Sequence, residues 1–386
     1  MPAVFHLAAR GLLLVCLMAN TACRASEGEG VPEARAFADA IAALKPGESI
    51  QFGEPLAAFL PSRWRARQPA PEMQYGDGVN GASSVIDNWS SAVTINDKSA
   101  IAFYGGGGKD GGYTAFYVLS MIDGTWSRMG QEYPYTRGGD GACTYPEVGP
   151  RPPHAYDGLV GTGDEIFVGG MYPYCRADHP KKVEDTWVFD VATERWSNLG
   201  ALAPHFLVSA YDPERHLVYT EAQVIDARRK VEVAAYRTPR ASNQFYKGMV
   251  FDGRRDRLWY WFGDGNVPFE LYYTELDDAG LPTTWIKTAS SMPNPSNRVG
   301  TDWGPMGKLY MWEGGDDVWI YTPETDEWDI VQAFHFARDV PKRGIYGRWN
   351  YIPRLGVFVG VRAYGEPPVY WRPPHTADTA AGQTAE

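Results

Sequence analysis

Apolar residues along this chain fall into short runs, each ended by glycine, proline or a polar turn, a pattern of many brief β-strands. One segment, residues 34–44, instead predicts a short helix. The strand pattern repeats. Its clearest copy is Glu165-Ile-Phe-Val-Gly-Gly170, a loop, Thr186-Trp-Val-Phe-Asp190, a polar turn, and Glu194-Arg-Trp196-Ser-Asn-Leu199. The same order recurs as Ile101-Ala-Phe-Tyr104 with Gly105 to Gly108, Ala115-Phe-Tyr-Val118 and Trp126, and again as Leu258-Trp-Tyr-Trp-Phe-Gly263, Leu271-Tyr-Tyr273 and Trp285. A fourth copy has Leu309-Tyr-Met-Trp312, Gly314, Gly315, Val318-Trp-Ile-Tyr321 and Trp328. Two degraded copies have Ala210-Tyr-Asp-Pro213, Leu217-Val-Tyr219 and Val231 to Tyr236, and Tyr351-Ile-Pro353, Val357-Phe-Val-Gly360 and Val369-Tyr-Trp371. Trp196 to Trp285 spans two of the intervals that separate Trp285 from Trp328, so one unit without a Trp lies between them.

An apolar strand ending in Gly-Gly, an aromatic strand, and a Trp opening the outer strand together resemble the kelch repeat. The resemblance covers roughly residues 60–372 and implies an all-β fold, a single closed β-propeller of about six four-stranded blades. Glycine lets the inner strands crowd near the axis, and Trp fills the wider outer wedge. The last copy lacks its Trp-bearing fourth strand. Leu60-Pro-Ser-Arg-Trp64 resembles that strand, so an N-terminal strand is expected to complete the last blade. The expected organisation is a leader over 1–22, a linker with a short helix over 23–57, the propeller over 58–373, and a disordered tail over 374–386.

Composition agrees with many strands and turns: 42 Gly, 29 Pro, 14 Trp and 23 Tyr in 386 residues. The run from Leu12 to Met18 is too short to span a bilayer; preceded by Arg10 and followed by small residues, it reads as a secretory signal. Cys23 after Ala22 resembles a lipoprotein attachment site, with Asn20 where that motif prefers Leu. The alternative is cleavage near Ala25 and Ser26. The expected protein is exported: periplasmic, lipid-anchored or secreted. A lipid anchor would be its one membrane contact. Its net charge of −11 argues against nucleic acid, and it is expected to be a monomer. In an oxidising compartment Cys143 and Cys175 suggest a disulfide; the alternative is two buried thiols.

In a propeller, the loops between blades and those between the second and third strands share one face. That face collects Arg298, Arg338 and Arg348 with Tyr172, Tyr174, Tyr346 and Trp349, residues suited to binding an anionic glycan. His154, at the mouth of an inner strand, is directed towards the central funnel. Propeller lyases acting on uronates use a His and Tyr pair with an Arg, so His154, Tyr174 and Arg298 or Arg348 are the candidate catalytic set. The alternative for His154 is a structural histidine. Galactose oxidase shares the superfamily, but its adjacent Tyr-His copper ligands have no counterpart here, and no metal or other cofactor is expected. The run from Gly105 to Lys109 lacks the Ser/Thr and helix of a phosphate loop. Three readings follow: an exported propeller binding a glycan or envelope protein, a polysaccharide lyase acting on uronate glycans, and a non-catalytic envelope scaffold.

Overall fold

The computed structural model describes residues 32–60, 83–106, 114–131, 136–137, 143–144, 148–150, 152–169, 185–202, 206–239, 246–264, 267–290, 298–336, 341 and 344–374. The chain forms six four-stranded antiparallel sheets arranged as a six-bladed β-propeller. Blade 1 holds Ser90–Ile95, Ala100–Gly105, Phe116–Ser120 and Trp126–Met129. Blade 2 holds Leu159–Gly161, Glu165–Val168, Trp187–Asp190 and Arg195–Asn198. Blade 3 follows with Ala210–Asp212, Leu217–Tyr219, Gln223–Asp226 and Val231–Ala235. Blade 4 has Lys247–Asp252, Arg257–Asp264, Val267–Leu276 and Pro282–Lys287. Blade 5 has Gly300–Trp303, Leu309–Trp312, Asp317–Thr322 and Glu327–Gln332. Blade 6 has Trp349–Ile352, Val357–Gly360 and Val369–Trp371, and its innermost strand packs beside that of blade 1, closing the ring.

The fourth strand of blade 6 is N-terminal, but it is Ser49–Gln51 and not the segment around Trp64. Ser49 pairs with Trp371, Ile50 with Tyr370 and Gln51 with Val369. Residues 56–60, which overlap the expected strand at Leu60, are helical, and residues 61–64 lie outside the described residues. The helix Pro32–Ala43 precedes the closing strand and buries Phe37 and Ile41 against blades 1 and 6. A sheet closed this way hides the edge of the last blade.

In blades 2, 4 and 5 the Trp of the outer strand packs back onto the preceding blade. Trp196 stacks on Phe116 of blade 1 at 5.5 Å, Trp285 on Tyr236 of blade 3 at 6.4 Å, and Trp328 meets Phe269 of blade 4 at 6.1 Å. The glycine ending a second strand sits where the next blade enters. A Cβ on Gly169 would lie 2.5 Å from the Phe206 ring and the Phe206 carbonyl oxygen, closer than any real contact. On the hairpin face, Asp212 and Asp252 repeat one device. Asp212 accepts the backbone N–H groups of Glu214 and Arg215 and the Arg215 guanidinium, which then grips Asp256 of blade 4 at 2.6 and 2.7 Å. Asp252 likewise holds Arg255, which reaches Glu324 of blade 5. Three consecutive blades are thus clasped in series by charge-assisted bonds.

Candidate functional site: the central channel

The six innermost strands converge on a central channel of about 520 Å³. Each presents its unpaired backbone edge to the lumen, so the wall offers free N–H and C=O groups as well as side chains. The channel opens at the hairpin end. Asp97, Lys98, Thr162, Gly163, Pro213, Gly253 and Trp303 line that mouth, and Tyr211, Thr301, Asp302 and Asn350 also line the wall. Lys98 Nζ stands 3.9 Å from Asp302 Oδ2 and donates to the Tyr351 carbonyl at 3.3 Å, so its charge is already engaged. Asp302 in turn accepts the backbone N–H of Tyr351 at 2.7 Å.

The opposite end is capped by Tyr156, Leu207 and Tyr346, which form one buried cluster with Trp89 packed against it. These residues enter blades 2, 3 and 6. The Tyr156 and Tyr346 rings meet edge to face at 5.4 Å although blade 1 lies between their blades, so they meet across the axis. Both residues hold positive φ, 51° and 49°, a conformation that costs an L-residue energy and persists here under dense packing.

Directly beneath this cap, Asp157 reaches across the lumen. It belongs to the entry of blade 2, yet its Oδ2 accepts the backbone N–H of Met249 in blade 4 at 3.2 Å, passing blade 3. Asp157 is half-buried and lines the channel. Enclosure raises its pKa well above the usual carboxylate range; the Met249 hydrogen bond opposes this and is outweighed. The native state therefore keeps a proton that the unfolded chain releases above about pH 4. The associated stability is complete below that pH and is lost as pH rises through the folded value. Asp157→Asn keeps an acceptor for the Met249 N–H and removes the ionisation. It is expected to flatten the fall in urea midpoint above about pH 4 and to raise the midpoint at pH 8; wild-type and variant curves that coincide across the range would contradict this assignment.

His154, Arg298 and Tyr346 do gather at the blade-entry end of the channel, but as packing. His154 is 7% exposed, lies over Trp89 at 4.3 Å, and has its Nδ1 3.4 Å from the Tyr156 hydroxyl. Arg298 donates to the Tyr246 hydroxyl at 2.9 Å and lies over that ring. The expectation of an accessible Arg348 is corrected. It is 1% exposed and donates to the carbonyls of Ile345 at 3.2 Å, Val361 at 2.9 Å and Gly344, and burial pushes its pKa down to about 10. Tyr346 and Trp349, expected to bind ligand, are buried; the Trp349 indole stacks on Phe358 at 4.7 Å. Tyr172, Tyr174, Arg338, Cys175 and Cys23 lie outside the described residues, as does the Cys143 side chain. Asp157 carried a weak sequence signal, since Tyr156-Asp-Gly158 reads as an ordinary turn. The stronger clue is the aromatic residue shortly before several inner strands: Trp89, Tyr156, Tyr246 and Tyr346.

Among the described residues no group of three or more His, Cys, Asp or Glu could hold a metal ion, and no helix is long and apolar enough to cross a membrane. No family model and no curated protein matches the chain. Among solved structures, a fungal alcohol oxidase of the AA5 family in complex with copper is similar, at 13% identity and a TM-score of 0.44. The alignment covers 77% of this chain and 64% of that one, so this chain spans less than two thirds of that protein.

Proposed function

We propose that this is an exported, kelch-type propeller that binds carbohydrate without transforming it, and that the sugar enters the central channel from the hairpin face. The observation that carries this reading is the open mouth of a cavity of about 520 Å³, within the usual size range of small-ligand sites. The half-buried Trp303 and Tyr211 border it, beside the carboxylates, amide and hydroxyls of Asp97, Asp302, Asn350, Thr94 and Thr301. Flat rings cover the apolar face of a sugar, while carboxylates and amides take its hydroxyls. The leader-like N-terminus would place the protein where glycans are found.

The lyase reading is less favoured, because a uronate needs an accessible cation and the Arg348 guanidinium is engaged by three backbone carbonyls. An anionic glycan is also less suited to this mouth than a neutral one, since Asp97 and Asp302 outnumber Lys98 along it. Calorimetry with neutral, acidic and basic saccharides is expected to give dissociation constants between millimolar and micromolar, about −4 to −8 kcal/mol. Hydrogen exchange should then slow in the inner strands around Thr94, Gly161, Ala210, Val250 and Asn350. Absence of binding by any saccharide would overturn the reading, and protection confined to the blade-entry loops would overturn the placement.

A further inference from the structure

We infer that the channel selects sugars bearing a free amino group, whose ammonium pairs with Asp157 at the closed end. The inference rests on the channel being the sugar site, and it follows from three features. First, Asp157 lies at the covered end: among the described residues its chain neighbour Tyr156 forms one buried cluster with Leu207 and Tyr346, away from the hairpin residues Lys98 and Trp303 at the other end of the lining. Second, charge along the path has one sign. The lining holds Asp97, Asp157 and Asp302 against Lys98 alone, and Lys98 is engaged at the rim by Asp302 and the Tyr351 carbonyl. Third, the carboxyl is held in place: the Met249 N–H fixes Oδ2, and the Ser209 hydroxyl fixes the Asp157 backbone carbonyl at 3.3 Å.

The walls near Asp157 are strand backbone with Leu159, Ala210 and Met249, a setting of low polarisability in which an ion pair is far stronger than in water. An ammonium brings three donors, against one protein donor on the carboxyl among the described hydrogen bonds. A neutral hydroxyl meets the same group with a weaker bond. A uronate would meet the like charge of Asp97 and Asp302 along the lining. Facing Asp157 from other blades are Met249, Ser209 and Tyr346; Arg298 and Arg348 act on Tyr346, and Asp157 itself feels chiefly its enclosure and the Met249 bond. Its raised pKa means that pairing displaces a proton, which leaves for solvent as the ammonium arrives.

The test is titration calorimetry of the full chain with glucosamine, galactosamine, glucose, N-acetylglucosamine and glucuronate, in two buffers of different ionisation enthalpy. The two amino sugars are expected to bind at least tenfold more tightly than glucose or N-acetylglucosamine. Their apparent heats should differ between buffers, because proton release is linked to binding. Asp157→Asn should abolish the tenfold preference and the buffer dependence while glucose affinity changes less than threefold. Its fold is checked by the urea transition. Equal affinity for glucose and glucosamine in the wild type, or a preference that survives Asp157→Asn, would overturn the inference and leave sugar binding in place. No heat with any of the five sugars would overturn both.

Discussion

Trp349→Ala is expected to lower the unfolding free energy by about 3–5 kcal/mol and to leave any ligand affinity of the folded fraction unchanged. The indole is 1% exposed and sits between two blades: it stacks on Phe358 at 4.7 Å and 12°, and it contacts Trp312 of blade 5 at 4.9 Å and Trp371 at 6.2 Å. Its removal leaves a cavity walled by rings whose backbones are fixed in two different sheets, so the gap has little freedom to collapse. The loss of an aromatic partner adds about 0.5–1.5 kcal/mol to the area term. Urea unfolding reads the change as a lower midpoint at unchanged slope. A variant as stable as the wild type, with weakened binding, would return Trp349 to the role its position in a loop-like segment suggested.

A chain shortened to begin at Gly53 is expected to lose about 5 kcal/mol or more, enough to unfold much of the population given that whole domains are stable by about 5–15 kcal/mol. The truncation removes the closing strand Ser49–Gln51 and the helix Pro32–Ala43. Phe37 and Ile41 are nearly inaccessible, and burying such side chains contributes about 1.5–3 kcal/mol each. Phe37 meets Tyr370 at 5.4 Å and Phe52 at 5.7 Å, so its loss uncovers the outer face of blade 6 as well as the strand edge. Near-ultraviolet circular dichroism and a urea titration measure the effect. A synthetic peptide of residues 32–52 added in trans should restore part of the signal. Unfolding of the shortened chain at the wild-type urea concentration would show that the ring does not depend on this closure.

The architecture was legible because it is repetitive. Four units carry both the glycine that a second strand needs beside its neighbour and the Trp that fills the outer wedge, and six units appear as six blades. The closing strand was misplaced because Ser49-Ile-Gln51 has neither mark. It is short, it has one apolar residue, and its place is set by partners at Val369–Trp371. Trp64 offered a stronger local pattern, and local patterns do not encode pairing between chain ends. The site was harder to read for the opposite reason. Tyr346, Arg348 and Trp349 follow a polar stretch and look like loop residues, yet the segment runs inward, where the carbonyls of Gly344, Ile345 and Val361 claim the guanidinium. Asp157 resembles any turn aspartate until the ring brings blade 4 within its reach, past blade 3.

The clasp between the first and last parts of the chain has a consequence for the order of events in synthesis. Ser49–Gln51 emerges from the ribosome well before its partner Val369–Trp371. Individual blades can form as hairpins while the chain grows, but the ring stays an open fan until Val369–Trp371 has been made. Sealing it joins residues about as distant as the fold allows, and such non-local contacts slow folding. During that interval the strand edge of blade 6 and the apolar pocket for Phe37 are uncovered, and these are the surfaces that a chaperone would meet before the native protein exists.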